Sequence, residues 1–220
     1  MSSLPVHPCF DLNLTTSLVS LVAVETTGSN CLYQSLSLND GPFPGSVDSR
    51  PAREGTQAEY FEDIDVTVAH VTKLTSKATS LGATSPSAPV VKMALQRSGS
   101  IKSLCVPDEM TMQAAALFAG KWGAPLNTNC AVYHCETDDH KILVELACAA
   151  TLAPAYKPSL FHRLVPPTGT PPTVVLVVCG GFKVSLADLE EYKSRVEAEI
   201  AAGGEWEVSL NGESFTVPKA

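Results

Sequence analysis

Several clusters of reactive residue types punctuate this 220-residue chain. Cys130-Ala-Val-Tyr-His-Cys135, with His134 and His140 beside it, offers the thiolates and imidazoles that hold zinc. No second ligand pair stands at a familiar zinc spacing, so a zinc centre is not expected. Cys179-Gly180-Gly181 follows the apolar run Thr173 to Val178, and Glu25-Thr-Thr-Gly-Ser29 follows the apolar run Ser17 to Val24. In open α/β sheets, ligands bind beyond the C-terminal ends of strands. Glycine there lets backbone approach a ligand, and a following helix offers free N–H groups. The plain alternatives are that the glycines only turn the chain, that Glu25 is a solvated strand-end carboxylate and that Cys179 is a core thiol.

The elements that position these residues follow from pattern. Ser17 to Val24 reads as a buried strand, and Asn30 to Leu38 as the start of a helix. Asn39 to Asp63, rich in Gly, Pro and scattered charge, reads as a loop insertion. Val71 to Leu81 reads as a short helix ending at Gly82. Ala88 to Gln96 has helical spacing, and Ile101 to Val106 reads as a strand. Pro107-Asp108-Glu109 opens a helix to about Ala119, with its acids at the positive end of the dipole. Lys141 to Ala153, capped by Asp138-Asp139, is apolar almost all round and reads as a buried helix carrying Glu145. Pro158 to Pro172 holds five prolines and reads as a loop. Thr173 to Val178 has the continuous apolarity of a central parallel strand. Ser185 to Ala201 reads as an amphipathic helix, with Ser185 and Asp188 as an acidic capping box. Asn211-Gly212, between alternating residues from Trp206 to Val217, signals a hairpin.

Strands alternating with helices predict an α/β fold with a mainly parallel sheet and helices on both faces. Residues 1–16 read as a tail, 17–202 as one incomplete α/β domain with the 39–63 insertion, and 203–220 as a hairpin extension. Lys plus Arg number 15 against 23 Asp plus Glu, a net charge of −8. That excess argues against nucleic acid, whose phosphates need a basic stripe. No apolar run reaches the ~18 residues of a membrane span, and no signal peptide is visible. Seven cysteines at irregular spacing suit a reducing, cytoplasmic compartment, with Cys105, Cys148 and Cys179 placed in apolar runs as small buried hydrophobes.

Four segments, in order, carry a family resemblance. Val174 to Leu189, VVLVVCGGFKVSLADL, resembles the strand-turn-helix VVVVCGGSNISLAQL of pyridoxal-phosphate-dependent L-serine/L-threonine dehydratases of the mammalian and fungal type. Val22 to Ser29 resembles that family's AMETFGA, Lys73 to Ala83 its LPKITSVAKALGV, and Asp138 to Ala150 its DDEKILVEPACGAAL. The resemblance implies part of the large domain of a tryptophan-synthase-β-like, type II pyridoxal-phosphate fold. It implies elimination of L-serine or L-threonine, serine giving pyruvate and ammonia. It places Cys179 at the cofactor's pyridine nitrogen, with Gly180 and Gly181 lining the cofactor. It assigns a monovalent cation such as potassium to Glu25, Ser29, Leu81 and Ala83. A homodimer, or a heterodimer with a full-length paralogue, follows from the family's dimer surface.

Departures accompany the match. The family's small domain, its Schiff-base lysine in an S-x-K motif and its phosphate-cradling Gly-rich loop involve chain that precedes the Glu-Thr segment. Here the 24 residues before Glu25 contain neither Lys nor Gly. Ser98-Gly-Ser100-Ile-Lys102 matches the lysine motif by letters, but it lies downstream and reads as accidental. Phe182 stands where the family has a small polar residue, Leu146 where it has Pro and Ala149 where it has Gly. The expectation is a dehydratase relative without catalysis of its own, so no catalytic residue is assigned. The alternatives are a non-catalytic remnant that binds a paralogue, or a truncated gene model.

Overall fold

The computed structural model describes residues 19–41, 55–97, 99, 101–120, 143–167, 169, 172–181 and 183–219. The Cys130–Cys135 cluster, His140, Asp138-Asp139, Phe182 and the whole 1–16 tail lie outside them. Four strands form the main sheet: β1 (Leu21–Thr26), β4 (Ile101–Val106), β5 (Glu205–Leu210) and β6 (Glu213–Pro218), in the order β1-β4-β5-β6. β2 (Thr56–Phe61) and β3 (Val66–Val71) make a separate two-stranded sheet. The helices are α1 (Cys31–Ser37), α2 (Ala88–Gln96), α3 (Asp108–Phe118), α4 (Leu146–Ala149), α5 (Pro158–Leu164) and α6 (Leu186–Ala201).

β4 is the spine of the sheet, because successive side chains of a strand point to opposite faces. Leu104 and Val106 face a core shared with α3, α4, α5, α6 and the C-terminal hairpin, including Met110, Val144, Leu160, Leu189 and Val208. Ile101 and Cys105 face a second core with Tyr33, Leu36, Val66, Val68 and Val91 from α1, β3 and α2. Helices therefore cover both faces, as the pattern predicts for an α/β fold. β1 runs parallel to β4, Leu21 opposite Ile101 and Thr26 opposite Val106.

The rest of the sheet departs from the mainly parallel expectation. β5 pairs with β4 antiparallel through Leu104–Leu210 and Cys105–Ser209, and β6 pairs with β5 antiparallel. The hairpin turn is Asn211-Gly212, with φ of 49° and 85°, the left-handed geometry that Asn-Gly supplies. Asn211 N donates to Ser103 O at 2.9 Å, and Asn211 Oδ1 accepts from Ser103 N at 2.8 Å. The hairpin thus takes the edge of β4 that a further parallel strand would use. Residues 173–178, expected as the central strand, pair with no strand among the described residues, and Val175 and Val177 are 67% and 64% exposed.

Three further segments differ from expectation. The second half of the 39–63 insertion forms β2, whose charged TQAEYF sequence hides its pairing with β3. Residues 72–78 are irregular rather than helical, and only Thr79–Leu81 makes a single 3₁₀ turn. Backbone pairing outside the segment explains this: Thr72 N donates to Gly55 O at 2.8 Å and Thr75 N to Gly28 O at 3.0 Å. Pro158 starts α5 instead of a loop, since proline at the first helical position forfeits no hydrogen bond. Lys141 and Ile142 lie outside the described residues, and the expected 141–153 helix is reduced to α4.

Candidate functional site

Two neighbourhoods hold the residues singled out in the sequence. The first lies at the C-terminal ends of β1 and β4. Glu25, next to last in β1, is only 9% exposed. Its carboxylate accepts from Leu32 N at 3.1 Å and Tyr33 N at 2.7 Å, the free amides of α1. Burial pushes its carboxyl up to about 7, against the lowering effect of those two backbone donors. The same burial, with Glu25 nearby, lifts the Cys31 thiol to about 11.

Gly28 turns the chain after β1 with φ +89°, and a Cβ there would collide with Thr75 Oγ1. This close approach sets Ser29 against the Thr79–Leu81 turn. Ser29 Oγ donates to Leu81 O at 2.7 Å, and Ala83 N donates to the same carbonyl at 2.8 Å. Ser29, Leu81 and Ala83 are thus brought together, while the Glu25 carboxylate is turned to α1. The Glu25 carboxylate and Leu81 O are engaged by protein donors in this arrangement. No group of three His, Cys, Asp or Glu suited to a metal occurs among the described residues.

Sequence reasoning passed over a polar chain at the same strand ends. Thr26 and Ser76 share a hydroxyl contact of 2.7 Å. Ser76 Oγ donates to Asp108 Oδ1 at 2.6 Å, and Lys77 N donates to Asp108 Oδ2, also at 2.6 Å. Ala78 N donates to Ser76 Oγ at 2.9 Å. Asp108 opens α3, so the chain ties β1, the 72–78 segment and α3 together. Its signal was the strand-end position of Thr26 and Asp108; nothing in the spacing marked Ser76.

The second neighbourhood is the glycine turn. Cys179 is exposed, correcting its reading as a core thiol, whereas Cys105 and Cys148 are buried as expected. Gly180 has φ +83°, and an added Cβ there would meet open space. Gly181 packs on Glu145, whose Cγ would lie 2.8 Å from an added Cβ. Glu145 Oε2 also accepts from Ser80 Oγ at 2.8 Å, linking this turn to the first neighbourhood. Leu146 and Ala149 are buried in α4. This turn lies against the N-terminal side of α4. Lys102 lies in β4, and its ammonium donates to Leu164 O.

A mixed α/β fold with a polar cluster at parallel strand ends is therefore the class defined. Comparison with protein-family profiles finds no match. L-serine dehydratase/L-threonine deaminase of Homo sapiens is 44% identical over 64 residues, 27% of this chain and 19% of the relative. The match supports a distant link to that family and spans a small part of the relative's length. Among the described residues, no helix is long and apolar enough to cross a membrane.

Proposed function

We propose that this chain is a divergent relative of the pyridoxal-phosphate-dependent L-serine/L-threonine dehydratases. It keeps a frame derived from their large domain and does not itself convert serine to pyruvate and ammonia. In this reading, 17–202 is the domain frame and 203–220 a hairpin extension. Cys179, Gly180 and Gly181 are former cofactor positions, and Glu25, Ser29, Leu81 and Ala83 former cation positions. One observation carries the reading: the Glu25 carboxylate is engaged by the Leu32 and Tyr33 amides, and Leu81 O by the Ser29 hydroxyl. The ammonium of Lys102, in the one lysine motif that matches by letters, is given to Leu164 O within the fold. A Schiff-base lysine needs a free amine beside the cofactor.

Titration of the purified chain with pyridoxal phosphate, with and without potassium, tests this. The expected absorbance is the sum of the separate components, with an unchanged melting midpoint. A new visible band that disappears in Lys102→Ala would overturn the reading.

A second reading is favoured by the exposed run Val174 to Val177. Apolar, exposed and paired with no strand among the described residues, it is suited to association with a second dehydratase-like chain, a paralogue or another copy. Light scattering on the eluted protein checks it, and a lone monomer, alone or mixed with a full-length dehydratase, counts against it.

A further inference from the structure

The segment that carries the glycine turn lies along α4 and its flanks through three contacts in reverse order. Val177 O accepts from Thr151 Oγ1 at 3.1 Å. Gly181 closes on the Glu145 side chain at the other end. Between these two, the thiol of Cys148 lies within hydrogen-bonding reach of both the amide and the thiol of Cys179. The outer contacts thus hold two free cysteines, 31 positions apart by number from 148 to 179, against each other. Their exposures differ. Cys148 is 9% exposed within the core around α3 and α4, whereas Cys179 faces solvent.

We propose that Cys148 and Cys179 form a reversible intramolecular disulfide, with Cys179 as the thiol that meets the oxidant and Cys148 as the thiol that resolves it. The oxidant is a low-molecular-weight disulfide such as oxidised glutathione. The Cys179 thiolate attacks one glutathione sulfur, forming a mixed disulfide and releasing one glutathione thiolate. The Cys148 thiolate then attacks the Cys179 sulfur and displaces the second glutathione. Two protein thiols are oxidised, one glutathione disulfide is reduced, and the two thiol protons end on the two glutathiones released. The bond pins the C-terminal end of the exposed run Val174 to Val177 to α4. A reducing compartment keeps the pair open, and an oxidising shift closes it. The inference rests on these contacts and stands whether or not the chain is a dehydratase relative.

Tryptic mapping reads the bond directly, because Cys148 and Cys179 fall alone in peptides 142–163 and 164–183. The full chain is incubated with oxidised glutathione, capped with N-ethylmaleimide and digested without reductant. Expected is a joined 142–163/164–183 species that dithiothreitol separates. In Cys148→Ser, Cys179 keeps a glutathione adduct; in Cys179→Ser, a change at an exposed position, Cys148 stays reduced. Wild-type protein with glutathione on Cys179 and a maleimide-capped Cys148 overturns the proposal. So does oxidation of Cys148 to the same extent in Cys179→Ser.

Discussion

Glu25 and Lys157 are the two side chains whose burial opposes their charge most plainly, in opposite directions of pH. Glu25 keeps its proton to about pH 7 in the fold, from an ordinary value of 4.5. Between those values the folded state binds more protons than the unfolded state, so stability falls as pH rises. The full shift corresponds to about 3 kcal/mol. Chemical denaturation from pH 4.5 to 7.5 should show this fall, and Glu25→Gln should flatten it. Lys157 donates to Pro218 O and Lys219 O at 3.2 and 2.9 Å and stands 4.7 Å over the Trp206 ring. Burial lowers its ammonium from 10.5 to about 8. The unfolded state then binds more protons between these values, so Lys157 adds stability as pH rises from 8 to 10.5, and Lys157→Met should remove that rise. Neither shift was legible in the sequence. Glu25 stood out only as a strand-end acid, because burial beneath α1 and the pull of two helix amides depend on tertiary packing. Lys157 drew no notice beside its prolines.

At the scale of elements, local chemistry was readable where the element satisfies its own backbone. Ser185 and Asp188 form the expected capping box, with Asp188 N on Ser185 Oγ and Ser185 N on Asp188 Oδ2. Ser185→Ala should lower stability by about 1 kcal/mol in a denaturant melt. The Asn-Gly hairpin was equally plain, but its docking on β4 was not, since the Asn211–Ser103 hydrogen bonds join residues far apart in sequence. Asn211→Ala should therefore exceed the cost of a turn alone, destabilising by about 1–3 kcal/mol, because Ser103 N then loses its partner inside the sheet. Misread elements share one cause. Residues 72–78 and 173–178 have the local character of a helix and of a core strand. Their conformations are decided by Gly28 and Gly55 carbonyls in the first case. In the second, β5 and β6 occupy the sheet edge.

For the whole molecule, the consequence is an exposed apolar run, Val174 to Val177. Val174, Val175, Leu176 and Val177 are all exposed, although their composition is that of a core strand. Val175→Asp combined with Val177→Asp should reduce self-association in sedimentation velocity while leaving the denaturation midpoint within about 0.5 kcal/mol, as surface changes do. The α/β class and the two-faced covering of the sheet were legible from alternating elements. The antiparallel half of the sheet was not, because pairing partners are chosen between segments that sequence patterns describe one at a time. The candidate site was legible as a set of positions, through the resemblance, but not in its hydrogen bonds, which join Ser29 to Leu81 and turn Glu25 to α1. The central claim is that these positions no longer support elimination. Pyruvate release from L-serine by the purified chain, with pyridoxal phosphate and potassium supplied, tests it most directly. No release above the cofactor-and-salt blank is the predicted result; cofactor-dependent release that scales with protein concentration contradicts it.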